Sequence, residues 1–308
     1  MKVKIQPPLE VVYQQFKPFF FRNFEFTPLK DKGRIYYISF WKNLRLKIIG
    51  DILFISGSLC KAYHGYNHLN LSFSQLQELK QELEKVLDIP ASLIQVTRTE
   101  FGLVTDVTNS EISFSNFGKY KHYSSEKMRD SGGRVYGVNY TNSTHRNKIY
   151  NKTQEARRND IQLDRKILRI EKVVSLSDLR RVKAFNSFPM RTLEDVCSER
   201  VQKALFNDLI STISKIEFLD LEKIGKLTMR ELRVFSYMND ETIRKNVSKN
   251  FKVAYKNDKR VYQRCLQKLE SKTFKKFLKQ LYKLNETLFP CSLLDRKKGT
   301  AKNNNKLN

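Results

Sequence analysis

Three β-rich runs follow one another between Arg34 and Gly57, and they constrain the fold more than any other stretch. The runs are RIYYISFW, LRLKIIG and ILFISG. Only the pairs Lys42-Asn43 and Gly50-Asp51 separate them, and residues of these types favour tight turns. Consecutive strands joined by such short turns pair antiparallel. The sequence therefore predicts an antiparallel meander at this point of the chain.

The rest of the first half contains further strands and one clear helix. Residues 73–87, FSQLQELKQELEKVL, carry leucines at helical spacing behind a serine cap, Ser72 or Ser74, which predicts an amphipathic helix. The run LIQVTRTEFGLVTDV after Pro90 is predicted to be a long strand. Between the meander and this helix, SLCKAYHGYNHLNLS is predicted to form a short strand and a loop. A second polar stretch, GKYKHYSSEKMRDSGG, is predicted to be a basic, flexible connector.

Two more strand patterns follow, in residues 132–152 and 166–174. In GGRVYGVNYTNSTHRNKIYNK, the pair Asn142-Ser143 supplies turn chemistry between two strand-like runs, which predicts a β-hairpin. The later run KILRIEKVV reads as a strand with two distinct faces. Because side chains alternate along a strand, one face is predicted to carry Leu168, Ile170 and Lys172, and the other to carry Arg169, Glu171 and Val173.

The character of the sequence changes after about Val174. SLSDLRRVKAF begins with a helix-capping signal, and helical patterns continue to Leu288. Residues 244–283 are densely basic, with an apolar stripe opposite a lysine-rich face. We predict an α+β chain: a β-rich domain of antiparallel sheet and flanking helices over residues 1–175, and a mainly helical, basic domain over 176–292. The polar, basic tail over 293–308 is expected to be disordered.

The net charge of +26 indicates a polyanionic partner. Nucleic acid is favoured over an anionic membrane surface. The chain has no run of about 18 apolar residues, and its N-terminus lacks the apolar run of a secretory signal, so we expect a cytoplasmic protein without a membrane partner. The four cysteines are far apart and form no CxxC pair, which favours reduced thiols over disulfides or a zinc site.

Tyr150, on the second strand of the predicted hairpin, is the candidate nucleophile. It lies between Lys148 and Lys152, so a phosphate bound by these lysines would lie beside a phenolic oxygen. Phenol is a weak nucleophile at neutral pH because its pKa is about 10, and attack would need a polarised phosphate and a nearby cation. Lys152 and His145 are candidates to assist. The alternative is a strand tyrosine that packs in the core, with His145 as a structural residue.

Glu100 and Glu171 are the candidate metal ligands. Each lies within a strand pattern, two residues after an arginine: Arg98 precedes Glu100, and Arg169 precedes Glu171. If the two strands are neighbours, both carboxylates converge on one hard cation such as Mg²⁺ or Mn²⁺, which prefers oxygen ligands. The alternative is a surface carboxylate that forms an ion pair with the arginine two residues before it.

Other catalytic motifs are absent from the sequence. His64 and His68 are four residues apart, but Gly65 and Asn67 indicate a loop, and no HEXXH glutamate accompanies them. There is no His-hydrophobic-His triplet of the kind found in two-histidine nicking endonucleases. There is also no P-loop, GxGxxG or GxSxG motif, which argues against a helicase, a dehydrogenase or a serine hydrolase.

The ordered set VTRTEFG, STHRNKIYNKTQEA and LRIEKVV, around Glu100, Tyr150 and Glu171, resembles the replication initiators of filamentous phages of the gene II/X type. It is also similar to related rolling-circle initiators of plasmids and Bacteroidetes elements. The resemblance covers roughly residues 34–180 and includes SGSLCKAYHGYNH. Glu100 stands where the phage proteins often carry Asp, and the chain is shorter than a typical phage protein.

The resemblance implies a catalytic role for the β-rich domain. The tyrosine matching Tyr150 would nick one strand of origin DNA and become linked to its 5′ phosphate, and a later transfer would rejoin the strand. Glu100 and Glu171 would bind Mg²⁺ or Mn²⁺. The partners implied are double- and single-stranded origin DNA and the host replication helicase and polymerase, in the cytoplasm of a bacterial host. The alternative function is a non-catalytic DNA-binding initiator or repressor.

Basic residues near these motifs and in the C-terminal half are the candidates for DNA contacts, since lysines and arginines neutralise phosphates. In the C-terminal half, a solvated helical face is the competing explanation for so much charge. The predicted DNA-binding residues are Arg146, Lys148, Arg169, Lys256, Lys259, Arg260 and Arg264.

Overall fold

The computed structural model describes residues 1–5, 17–106, 112–120, 123–143, 145–158, 160–175 and 191–289. Within these ranges the chain forms two antiparallel sheets with flanking helices, followed by a helical C-terminal region. The predicted α+β class is confirmed. The capping signal after Val174 and the tail over 293–308 lie outside the described residues.

The first sheet has six strands in the order β1-β6-β5-β4-β3-β2. The predicted meander is confirmed as β4, β5 and β6, and Lys42 (φ 51°) and Gly50 (φ 56°) take the left-handed conformation that its two tight turns require. The strands are β1 (Lys2–Lys4), β2 (Phe19–Phe21), β3 (Phe24–Asp31), β4 (Arg34–Trp41), β5 (Leu44–Ile49) and β6 (Ile52–Gly57).

Two helices follow the meander. The first, α1 (Leu59–His64), corrects the prediction of a short strand: the side chain of Ser58 accepts from the Lys61 N–H at its start, and Gly65 (φ 82°) ends it. The second, α2 (Phe73–Leu87), confirms the predicted helix. Ser72 caps its start, and its leucines are buried.

The second sheet has five strands in the order β7-β11-β10-β9-β8. The hairpin of β9 and β10 and the strand β11 were predicted, as was the long strand β7. The strand β8 lies inside the stretch predicted to be a flexible connector, and that prediction was wrong because this stretch pairs with the outer edge of β9. The strands are β7 (Arg98–Asp106), β8 (Ser124–Arg129), β9 (Val135–Thr141), β10 (His145–Asn151) and β11 (Ile167–Ser175).

The remaining helices cover the sheets or form the C-terminal region. Two 3-10 turns, Phe114–Asn116 and Leu221–Lys226, connect elements. Among the described residues, no helix is long and apolar enough to cross a membrane. The helices are α3 (Lys152–Arg157), α4 (Leu193–Val196), α5 (Glu199–Ile213), α6 (Met229–Asn239), α7 (Glu241–Asn250), α8 (Lys252–Lys268) and α9 (Lys272–Leu288).

Buried apolar side chains form two clusters. The main core joins both sheets to α2, α5 and α9. A smaller core lies between α6 and α8, with Phe235, Val261 and Cys265 among its members. The carboxylate of Glu231 on α6 accepts from Lys268 on α8 at 2.7 and 2.8 Å, which links these helices further. Cys60, Cys197 and Cys265 are free thiols, and Cys291 lies outside the described residues.

Candidate active site on the second sheet

The strand β11, which lies between β7 and β10, brings the predicted site residues to one face of the second sheet. On one side of it, Glu171 is opposite Lys148 of β10, and Arg169 is opposite Tyr150. On the other side, Glu171 is opposite Gly102 of β7, two residues from Glu100. Directly opposite residues point to the same face, and alternate residues of a strand share a face. Glu100, Glu171 and Tyr150 therefore share a face, while the core lies on the other.

The two faces of β11 agree with the sequence prediction. Leu168, Ile170 and Val174 join the main core. Lys172, on the same face, is buried and forms an ion pair with Asp208 of α5. Because the core occupies this side, the charged residues at odd positions lie on the opposite side of the sheet.

Glu171 is the centre of a buried polar network. The Tyr150 hydroxyl donates to Glu171 Oε1 over 3.0 Å. Arg169 Nε forms an ion pair with the same oxygen, and Lys148 Nζ lies 3.4 Å from Oε2. Glu171 and Tyr150 are only 3% and 4% exposed. One carboxylate thus holds a phenol and two cations in fixed positions.

Glu100 extends this network towards solvent. It is exposed to water but also lines a cavity, so protein covers part of its side chain. This burial raises the pKa of Glu100, and the nearby carboxylate of Glu171, with which it shares a hydrogen bond, raises it further, while Lys148 and Arg169 oppose the shift. Two carboxyl groups in contact favour a shared proton or a bound cation between them.

Tyr150 is held as a neutral phenol. Burial raises its pKa far above the ordinary value, and the negative charge of Glu171 raises it further, although Arg169 acts in the opposite sense. For Arg169, burial alone would lower the pKa, but Glu171 and the other acidic groups raise it, so the guanidinium stays charged. The phenolic proton therefore leaves only if a base accepts it, and Glu171 already accepts the hydrogen bond.

The segment after α1 lies beside the network, and sequence analysis did not identify its role. Arg169 Nη1 donates to the carbonyl oxygen of Asn67. The Asn70 side chain binds both backbone groups of Val104, accepting from its N–H over 2.7 Å and donating to its carbonyl over 2.6 Å. Tyr66 and His68 stack with their ring centroids 4.0 Å apart. An asparagine in a polar loop gives no pattern that predicts such a contact.

Two predicted catalytic residues lie on other elements or faces than Tyr150. Lys152 was expected on the same strand face as Tyr150, but β10 ends at Asn151, whose side chain caps α3, and Lys152 begins that helix. Its buried ammonium forms an ion pair with Glu155. His145 lies at the far end of β10 and, five residues from Tyr150, on the opposite face.

The predicted DNA-contacting residues fall into two groups. Arg146 is exposed and shares the face of Tyr150 and Lys148, whereas Arg169 is buried in the network. The other four are exposed on α8, whose opposite side packs in the smaller core through Val261 and Cys265. These four are Lys256, Lys259, Arg260 and Arg264.

The oxygen donors of the site match a hard divalent cation in kind. Glu100 and Glu171 are adjacent carboxylates. Burial and then the negative charge of Glu171 raise the pKa of Glu100, and a bound cation would favour its ionised form. Within the described ranges, no group of three or more His, Cys, Asp or Glu side chains is arranged to hold a metal ion. A cation bound here would keep water or substrate oxygens among its ligands, as Mg²⁺ commonly does.

No protein-family model matches the chain, and no curated protein sequence matches it.

Proposed function

We propose that the protein nicks and rejoins one strand of origin DNA, with Tyr150 as the nucleophile, as an initiator of rolling-circle replication. The observation that carries the proposal is the hydrogen bond from the Tyr150 hydroxyl to Glu171, on the sheet face that also holds Glu100. This is the arrangement of a nucleophile with an adjacent base. The resemblance of the three motifs to phage and plasmid initiators supports the same reaction.

In the proposed reaction, the Tyr150 oxygen attacks a backbone phosphorus atom while its proton passes to Glu171. A phosphorus–oxygen bond forms to tyrosine, and the bond from phosphorus to the 3′ oxygen breaks. The leaving oxygen takes up a proton and becomes a free 3′ hydroxyl, and the 5′ phosphate remains on Tyr150. Attack by a 3′ hydroxyl on this phosphotyrosine reverses the step and rejoins the strand.

The surrounding charges support a phosphate at this position. Arg169 and Lys148 lie against Glu171, so a phosphate beside Tyr150 would meet both cations. Glu100 and Glu171 would hold Mg²⁺ or Mn²⁺, which would polarise the phosphate oxygens. Because Lys152 is paired with Glu155 and His145 lies on the opposite face of β10, neither is assigned a direct part in this step.

The basic C-terminal helices would bind the duplex around the nick. Between Glu241 and Lys268 there are nine lysines or arginines and two acidic residues. Such a surface neutralises phosphates irrespective of sequence. As an initiator, the protein would act with a host helicase and polymerase, on a phage or plasmid in the bacterial cytoplasm.

The decisive experiment compares the wild type with Tyr150→Phe on supercoiled and single-stranded origin DNA, with Mg²⁺ or EDTA. We expect Tyr150→Phe to lose at least about 10³-fold in nicking rate and to form no covalent adduct on denaturing gels, because its ring cannot attack phosphorus. Tyr136→Phe is the matched control, since Tyr136 is a buried tyrosine on the neighbouring strand. Full nicking by Tyr150→Phe would refute the proposal.

A second candidate function is non-catalytic binding of origin DNA, as by a repressor or an initiator that only melts the duplex. The observation in its favour is that Glu171 is already neutralised by Arg169 and Lys148, as in a structural ion-pair network. This function gives salt-dependent binding that is indifferent to EDTA and yields no adduct with either protein.

A further inference from the structure

A cavity of about 680 Å³ lies along the outer edge of β7, next to the candidate active site. Arg98, Glu100 and Arg169 border it, so it meets the polar network directly. Apolar side chains from several elements form much of the remaining wall. These include Leu71, Val196, Leu205, Phe206 and Leu288.

The edge of β7 offers backbone hydrogen-bonding groups to this cavity. Among the described strands, β7 is an outer strand of its sheet and pairs with β11 alone. The Asn70 side chain binds the N–H and C=O of Val104, so these two groups point away from β11. In an antiparallel pair this direction alternates, so the backbone groups of Gly102 and Glu100 point the same way, and both residues line the cavity.

This combination fits one unpaired nucleobase. A base is flat and apolar on its faces, while its edge carries donors and acceptors that a strand edge and a carboxylate can meet. The volume lies in the range of small-molecule sites and suits one nucleotide, whereas a DNA duplex is far too wide for it. The arginines at the border complement the phosphate of such a nucleotide.

We propose that this cavity binds the base of a nucleotide that flanks the phosphate attacked by Tyr150. The inference rests on the proposed nicking function and adds to it a separate subsite for one base, turned out of the stack. Glu100 and Arg169 then lie between the base and the reacting phosphate.

The test measures binding of deoxynucleoside 5′-monophosphates and of deoxyribose 5-phosphate to the full chain by calorimetry in EDTA. Thr99→Trp places an indole ring at the cavity wall from β7, and Thr97→Trp places one there from an exposed position if the first variant does not fold. Thr105→Trp is the matched control, because Thr105 is a half-buried threonine of the same strand that does not line the cavity. Thermal melting checks that each variant is folded.

We expect a mononucleotide to bind about tenfold more tightly than deoxyribose 5-phosphate, and Thr99→Trp or Thr97→Trp to remove this difference, as befits a single buried base. Thr105→Trp keeps it. Equal binding of the two probes by the wild type, or an unchanged difference in both cavity variants, overturns the proposal.

The outcome is separable from that of the nicking experiment. Nucleotide binding is measured on the wild type and the cavity variants, without metal or cleavage. If no adduct forms but the cavity discriminates between the probes, only the nicking function fails. If adducts form and the cavity variants bind like the control, only the base-binding site fails.

Discussion

The two sheets of this protein are both antiparallel, but they differ in where their polar residues lie. In the first sheet, β3 and β5 alternate buried apolar positions with positions that face solvent, as in β5, where Leu44, Leu46 and Ile48 are buried. In the second sheet, β11 is buried along most of its length and still carries Arg169, Glu171 and Lys172. The burial of apolar side chains on folding is enough to explain the alternation in the first sheet.

The buried charged residues of the second sheet indicate where a functional site lies. Charged groups lose hydration when they are buried, and an ion pair often recovers no more than this cost. An apolar strand would serve folding at least as well at the position of β11. The charged residues of the second sheet are therefore better explained by what they do than by the stability they contribute.

The largest effect on stability is expected from removing the centre of the network. Glu171→Ala leaves the buried Arg169 without its carboxylate, and the loss of one partner from a buried pair costs about 3–5 kcal/mol in unfolding free energy. Urea denaturation of the wild type and the variant measures this. A loss below about 1 kcal/mol, typical of an exposed pair, would contradict the contrast between the sheets.

A smaller but more specific effect is expected at Gly137, which lies opposite Tyr150. A Cβ atom there would lie 2.5 Å from Tyr150 Cβ and 2.9 Å from the Ile149 carbonyl oxygen. Gly137→Ala should cost about 1–3 kcal/mol as an overpacked site, and it should impair nicking because it displaces the tyrosine.

Gly33→Ala, in the turn between β3 and β4, is the control for Gly137→Ala. Gly33 has φ +80°, and a Cβ atom added to it would meet no other atom of the described residues within 4 Å, so only backbone strain of about 1–2 kcal/mol is expected. Both variants lose stability, but only Gly137→Ala should lose nicking. Equal nicking by the two at a temperature where both are folded would show that the contact with Tyr150 is unimportant.

The charge of Glu100 gives a dependence on pH. Because its pKa is raised in the folded state, the folded protein holds more protons than the unfolded chain above pH 4.5, and stability falls as pH rises through the folded-state pKa. Glu100→Gln removes this penalty. The variant should melt at a higher temperature than the wild type at pH 7–8, and the advantage should disappear towards pH 4.

Added Mg²⁺ gives a second test of Glu100, again by comparing the melting temperatures of the wild type and Glu100→Gln. A cation at Glu100 and Glu171 would raise the melting temperature of the wild type at neutral pH, and would raise that of Glu100→Gln less. Without Mg²⁺, a Glu100→Gln variant less stable than the wild type at pH 7–8 would mean that the charge of Glu100 does not destabilise the folded protein.

The smallest effect is expected in the first sheet. Asp51 forms an exposed ion pair with Lys4, with 3.4 Å between Nζ and Oδ2. Asp51→Asn should change the unfolding free energy by less than about 0.5 kcal/mol, because solvent and salt screen such pairs. Urea denaturation at low and high salt provides the check, and a loss comparable to that of Glu171→Ala would remove the distinction between the sheets.

Local patterns were enough to predict much of the fold. The meander, the helix α2 and the hairpin of β9 and β10 all follow from short-range spacing and turn chemistry, as in the hydrogen bond from the His145 N–H to Asn142 Oδ1 over 2.6 Å. Alternation along β11 correctly separated Glu171 from the core face. Each of these features is decided within a few residues of the chain.

One part that was missed depends on a local cap, and the others depend on distant neighbours. Lys152 was expected to continue a strand, but the Asn151 cap starts a helix there. The strand β8 has few apolar residues and forms because the edge of β9 is available to it. The contact between Glu100 and Glu171 required the pairing of β7 with β11, for which the sequence offered only a conditional prediction.

The position of β11 has a consequence for the order of events during synthesis. It is the last strand of its sheet in the chain, yet it lies between β7 and β10. Until residues up to Ser175 have left the ribosome, β7 lacks the strand with which it pairs in the described sheet, and Glu100 is kept apart from Tyr150. Closing such a long loop is slow relative to forming a hairpin. In a nascent chain, Tyr150 can therefore already lie on its hairpin, but the site proposed for nicking forms only when β11 is inserted.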